Sequence, residues 1–149
     1  MTSIGNSAFS GCSSLASVTI PDSVTSIGIQ TFYNCTSLAS VKIPNGVTSI
    51  RDDTFRYCSS LASITIPDSV TSIGSFAFYN CTSLASIAIP NGVISIGDGA
   101  FRSCTSLASI YYTGTEEQWN AITKGTGWNT NMGSNVEGGT IIHYNYVPE

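Results

Sequence analysis

The sequence predicts a repeat solenoid, a stack of similar coils whose short strands line up as a parallel β-sheet on one face. Three observations carry this expectation. Phe9, Phe32, Phe55, Phe78 and Phe101 stand 23 residues apart, and Cys12, Cys35, Cys58, Cys81 and Cys104 keep the same interval. Leu15, Leu38, Leu61, Leu84 and Leu107 hold a second fixed offset, and Ile4, Ile27, Ile50, Ile73 and Ile96 a third. Within each copy, apolar and polar residues alternate just before a proline. Residues 1–113 therefore read as five 23-residue coils, and residues 114–149 as a C-terminal cap within the same single domain.

Each part of a coil has a local reason. Period-two alternation puts Ala16, Val18 and Ile20 on one face and Ser17 and Thr19 on the other, the pattern of a strand with one buried side. Each coil is thus expected to add one strand to the sheet. Pro21, Pro44, Pro67 and Pro90 end the strands, since proline has no N–H to give to a ladder, and Asp-Ser or Asn-Gly follows as a turn. Phe32, Cys35 and Leu38 are spaced by three, which suits a 3₁₀-like or irregular return arc. A lone coil cannot bury enough apolar surface to offset its ordering entropy, so stability must come from stacking, and the ends need covers.

The C-terminal cover is legible as a helix followed by a strand. Thr115 and Gln118 form a capping box, Glu116 and Glu117 sit at the positive end of the dipole, and Lys124 and Gly125 are expected to close the helix. Trp119 and Ile122 share a face that seals the last coil. Thr140–Tyr144 reads as a final strand. At the other end, Met1–Gly5 aligns with Val24–Gly28, so the first coil is expected to be truncated and open. Such an end should fray, or associate with a second copy or with further repeats.

The pattern Cys-x-x-Leu-x-x-Val/Ile-x-Ile-Pro-x-x-Val-x-x-Ile-Gly-x-x-x-Phe resembles the BspA-like class of leucine-rich repeats, over residues 1 to 113. The departures are few: Arg51 replaces the glycine of Gly28, Gly74 and Gly97, Ile94 replaces a threonine, and Met1 stands where other copies have valine. The resemblance implies a surface or secreted protein of a host-associated microbe, with adhesion to host proteins or other cells as its role. It implies an extracellular protein or glycan as partner. The alternative reading is a spacer segment of a larger surface protein.

Composition supports a non-catalytic surface. Only 9% of residues are charged, and a net charge of −4 with five basic residues argues against nucleic acid, which needs clustered lysine and arginine. No apolar run approaches the roughly 18 residues of a membrane span. The cysteine spacing matches no zinc motif and C-x-x-C is absent, so the thiols read as a buried ladder of small hydrophobes. Two cysteines sit within Asn34-Cys35-Thr36 and Asn80-Cys81-Thr82, which match the glycosylation pattern as coincidences of a threonine-rich chain. Asp52-Asp53 reads as a solvated turn, and Gly5, Gly28, Gly74 and Gly97 as turn residues. Phe32 and Phe78 precede tyrosine whereas Phe55 and Phe101 precede arginine, an alternation read as duplication history. No catalytic residue, metal site or cofactor is expected.

Outward strand positions read Ser17/Thr19, Ser40/Lys42, Ser63/Thr65, Ser86/Ala88, Ser109/Tyr111 and then His143. Small polar groups give few anchors, whereas an aromatic ring can fill a protein hot spot or stack on a sugar. Tyr111 and His143, with Lys42 behind them, are the candidate ligand-binding residues.

Overall fold

The computed structural model describes residues 1–148. In chain order the elements are β1 (Ser3–Ile4), β2 (Ser26–Ile27), β3 (Ser40–Lys42), β4 (Ser49–Ile50), β5 (Ser63–Thr65) and β6 (Ser72–Ile73). They continue with β7 (Ser86–Ile89), β8 (Ser95–Ile96), β9 (Ser109–Tyr112), α1 (Glu116–Ala121), β10 (Thr123–Lys124) and β11 (Ile141–His143). The expected solenoid is present, with one correction: an interior coil supplies strands to two parallel ladders, not one.

The first ladder joins β3 to β5 and runs β7–β9–β11, with a single bridge from Ser17 to Ser40 at its start. It is the strand face read from the sequence, starting later than expected. Ala39, Ala62 and Ala85 are exposed, while Val41, Ile64 and Ile87 point inward. The second ladder joins β1 to β2 and runs β10–β8–β6–β4. Its strands are only two residues long, too short to leave a period-two signal; β2, β4, β6 and β8 each turn an isoleucine inward and a serine outward, and β10 puts Thr123 and Lys124 at these positions.

The second ladder explains the glycines. A Cβ on Gly97 would lie 2.4 Å from Ser75 N, and one on Gly74 would lie 2.6 Å from Asp52 N. Neither residue has a positive φ. Absence of room, and not turn geometry, requires glycine here, because the ladder brings successive backbones together at this point. Gly28, Gly74, Gly97 and Gly125 each donate N–H to the strand before (Ile4, Ile50, Ile73 and Ile96 O) at 2.7–2.9 Å. Arg51 occupies the same position without the bond, and β2 and β4 do not pair. The ladder is open where the glycine is missing.

Return arcs take the irregular form, with no 3₁₀ segment among the described residues. Their N–H groups are spent between coils: Phe32 N donates to Thr54 O at 2.9 Å, and Phe55 N to Ala77 O at 2.8 Å. Gln30, Asp53 and Phe76, and four residues on Asn34, Tyr57 and Asn80, have φ between 55° and 63°, which bends the chain out of any continuing helix.

Core columns run along the solenoid axis. Consecutive phenylalanines from Phe9 to Phe101 stack with ring centroids 5.2–5.5 Å apart. Beside them each cysteine from Cys35 on donates S–H to the phenylalanine carbonyl of the coil before, for example Cys58 to Phe32 O at 3.1 Å and Cys104 to Phe78 O at 3.0 Å. That bond gives the column a reason to be cysteine. All five thiols are free; Cys12, in the first coil, is half-buried and the other four are buried. Burial pushes the Cys35 thiol up, lifts Cys58 to about 12, and raises Cys81 well above its usual range.

The cap is a sixth coil with a helix inserted. Thr115 and Gln118 form the expected capping box, and Trp119 and Ile122 are buried over the last coil as expected. The C-terminal closure differs from expectation. The helix ends at Ala121, and Gly125 continues β10, meeting Asp98 as Gly74 meets Asp52. Lys124 still serves the helix, since its Nζ donates to Trp119 O at 2.7 Å and Ile122 O at 3.3 Å. The final strand, β11, pairs with β9 as the sequence suggested.

Candidate functional site

The three sequence-selected residues fall on one outward column of the first ladder. Lys42 is in register with Thr65, Ala88 with Tyr111, and Tyr111 with His143. Tyr111 and His143 meet, with ring centroids 4.7 Å apart and planes 16° from parallel. Register places the rings on adjacent strands, roughly 4.8 Å apart, so stacking follows from the ladder spacing itself. His143 Nε2 lies 3.2 Å from Ser109 Oγ, which fixes the imidazole against the next strand. Lys42 is exposed and stands three coils away, about 14 Å by sheet spacing. It does not join the aromatic pair.

Tyr146 completes the cluster, and sequence reasoning missed it. Its ring centroid is 4.9 Å from that of Tyr111, tilted by 41°, and its N–H donates to Tyr112 O at 3.0 Å. The residue lies beyond the last strand, where period-two reasoning had stopped. Ile141 and Val147, near it in sequence, are also exposed. On the same ladder, the intervening outward positions are Thr65 and Ala88, which offer no anchor.

A second grouping lies on the return arcs. Arg56 Cζ stands 5.1, 5.0 and 4.9 Å from the ring centroids of Tyr57, Phe76 and Tyr79, while Nη1 pairs with Asp53 Oδ1 at 3.0 Å. Tyr57 meets Tyr33 and Tyr79 edge-on, and Arg102 approaches Tyr79 at 5.9 Å. Arg56, Tyr79 and Arg102, each following a phenylalanine in successive copies, form a cation–π ladder on the arcs, while Tyr33 packs on Tyr57. Both Arg56 and its rings are engaged with one another, which makes the ladder a stacking device first. Asp52 does structural work too, its Oδ1 accepting from Ser75 N at 2.8 Å.

Among the described residues no group of three or more His, Cys, Asp or Glu side chains is placed to hold a metal ion. No helix among them is long and apolar enough to cross a membrane.

These features coincide with a known repeat class. The family model for the BspA type leucine rich repeat region matches in six copies over residues 2–122, and the chain belongs to that family. A solved leucine rich cell surface protein from Faecalibacterium prausnitzii A2-165 is 43% identical, with a TM-score of 0.81 over 83% of this chain and 32% of that one. A leucine rich repeat protein of T. pallidum is 37% identical, with a TM-score of 0.73 over 85% of this chain and 63% of that one. A leucine-rich repeat protein from Bacteroides ovatus ATCC 8483, at 22% identity and a TM-score of 0.52, shares the fold. No curated protein matches the sequence. The chain spans about a third of the Faecalibacterium protein and under two thirds of the T. pallidum protein. It is a leucine-rich repeat module of bacterial surface-protein type.

Proposed function

We propose that this module is a non-catalytic, extracellular or cell-surface binding unit that holds a partner on the first-ladder face around Tyr111, His143 and Tyr146. One observation carries the reading. On a face whose other outward positions are mostly serine, threonine and alanine, Tyr111 and His143 are stacked by register and Tyr146 is set against Tyr111 by the turn after β11, which is the composition and preorganisation of a hot spot. The resemblance of the chain to a bacterial cell surface protein supports the location.

Contact among the rings favours a protein partner over a glycan. Tyr111 already has His143 stacked on it and Tyr146 beside it, which leaves less free ring face for a sugar and more apolar edge for a side chain. The test is a Tyr111→Ala/His143→Ala double variant, checked for unchanged folding by circular dichroism and screened with its parent against host matrix proteins and glycan arrays. Loss of a hot-spot ring costs about 2 kcal/mol or more, so binding should weaken roughly thirtyfold. Undiminished binding removes this face from consideration. No binding by the parent leaves the spacer reading standing.

A further inference from the structure

Four turns leave the first-ladder face, each closed by one bond: Val24 N to Pro21 O, Val47 N to Pro44 O, Val70 N to Pro67 O and Val93 N to Pro90 O, at 3.0–3.1 Å. Pro-Asp-Ser and Pro-Asn-Gly alternate in them coil by coil. Asp22, Asn45, Asp68 and Asn91 thus form one column, with neighbours one coil apart, roughly 4.8 Å by sheet spacing. The alternation keeps every second side chain neutral where like charges on adjacent coils would repel.

Glycine at 46 and 92 is not needed to make the turn. Neither has a positive φ, and Ser23 and Ser69 occupy the same place, where their hydroxyls donate to Met1 O and Val47 O at 2.6 Å. What glycine leaves is an unhindered backbone nitrogen beside an asparagine amide. Gly46 N and Gly92 N donate to no backbone acceptor among the described residues, and Asn45 and Asn91 are exposed. After Asn6, Asn34, Asn129 and Asn145 the same nitrogen is engaged: Ser7 N donates to Ile29 O, Cys35 N to Phe32 O, Thr130 N to Gly127 O and Tyr146 N to Tyr112 O. Asp98-Gly99 is held as well, with Gly99 N on Thr126 O at 3.1 Å and Asp98 Oδ1 accepting from Thr126 N at 2.8 Å.

We propose that Asn45 and Asn91 are sites of spontaneous deamidation, with Asn45 the faster. The Gly46 nitrogen attacks the side-chain carbonyl carbon of Asn45 and a C–N bond forms. The bond from that carbon to the amide nitrogen breaks, and ammonia leaves with the proton given up by Gly46 N. The step is redox-neutral. Water then opens the cyclic imide at either carbonyl, to aspartate or to isoaspartate. Aspartate fits, since Asp22 and Asp68 already sit in this turn, whereas isoaspartate lengthens the main chain by one methylene between Pro44 and Val47. Either product adds a negative charge to the column, and full conversion puts a carboxylate in all four turns. Asn91 is slower because its turn is tied to the next coil: Asn91 N donates to Thr113 Oγ1 at 2.8 Å, and Gly92 is half-buried whereas Gly46 is exposed.

The experiment incubates the full chain at mildly alkaline pH in heavy-oxygen water, separates acidic species by ion exchange and locates them by peptide mass spectrometry. The expected result is conversion at Asn45 severalfold ahead of Asn91, with Asn129 unchanged, one heavy oxygen gained per event, and aspartate mixed with isoaspartate. Both sites share the local sequence Pro-Asn-Gly-Val, so in urea they should convert at one rate. Gly46→Ser, which copies the turn of Asp22-Ser23, should slow Asn45 severalfold and leave Asn91 at the parent rate. Conversion at Asn129 as fast as at Asn45, or a Gly46→Ser chain that converts at the parent rate, overturns the proposal. So does amide loss without isoaspartate, which is direct hydrolysis, and equal rates at Asn45 and Asn91 in the folded chain overturn the order.

Discussion

Gly97→Ala should open the second ladder between β6 and β8. The added methyl would lie 2.4 Å from Ser75 N, 2.7 Å from Gly74 C and 2.8 Å from Ser75 Cα, all backbone atoms that move only if the coil moves. Arg51 shows the outcome. Across the junction of β2 and β4 there is no bond from Arg51 N to Ile27 O or from Thr48 N to Thr25 O, although Gly97 N to Ile73 O and Ile94 N to Thr71 O are both present at 2.8 Å. Losing two backbone bonds costs about 2 kcal/mol, and forcing a methyl into a packed contact adds about 1–3. The smaller entropy of an unfolded alanine returns roughly 0.5–1 kcal/mol.

A net loss of about 2–4 kcal/mol corresponds to a drop of roughly 5–15 °C in Tm for a chain of this size. Thermal unfolding by circular dichroism reads the loss, and amide hydrogen exchange locates it at Ile94 and residue 97. Arg51→Gly is the converse: the two bonds form, glycine costs about 0.5–1 kcal/mol in chain entropy, and stability rises by about 1 kcal/mol. The Thr48 amide and that of residue 51 should become protected. If Gly97→Ala melts with the parent and its Ile94 amide stays protected, glycine at this position is not there to let the coils approach.

Two further outcomes follow from the core and the cap. Because burial raises the Cys58 thiol from its ordinary value of 9.0 to about 12, the unfolded chain loses that proton first. The stability held by the buried thiol is complete below pH 9 and lost as pH rises toward 12, by roughly 1.4 kcal/mol per pH unit per thiol. Urea titrations at stepped alkaline pH should show this decline, and Cys58→Ala should make it shallower. Trp128→Ala removes the ring that covers Phe101 and leaves the stack open at the cap; a loss of about 3–5 kcal/mol is the upper range for a buried aromatic, and this half-buried one should cost less, with new exchange at Phe101 N and Ser103 N. An unchanged midpoint would mean that Trp119 alone seals the end.

The first ladder, the core columns and the cap were legible because each rests on a signal longer than one residue. Alternation marked Val41, Ile64 and Ile87, the period marked the phenylalanines and cysteines, and Thr115 with Gln118 marked the helix. The second ladder was not, since a two-residue strand such as Ser72–Ile73 carries no alternation to read. Its glycines were visible, yet a glycine needed for φ and one needed for space look the same in a sequence. Only the departure at Arg51 differs, and its meaning depends on knowing that a neighbouring backbone lies there. Lys124 is the same lesson at the cap, where a helix-closing residue also occupies a strand position facing Ile96.

The candidate site was legible in part for a related reason. Tyr111 and His143 stand out by contrast with Thr65 and Ala88, and that contrast lies within one register column that the repeat period defines. Tyr146 lies outside the period, and its place against Tyr111 is set by the turn after β11 and the bond from its N–H to Tyr112 O. On the arcs the period was read correctly and the chemistry overlooked: residues 23 apart become neighbours once the coils stack, and Tyr79 meets Arg56 and Arg102 in that way. In a solenoid, sequence separation by one period is spatial adjacency. An alternation between odd and even copies therefore sets unlike side chains on adjacent coils, and the Arg56 contact with Tyr79 is that inference realised across one junction.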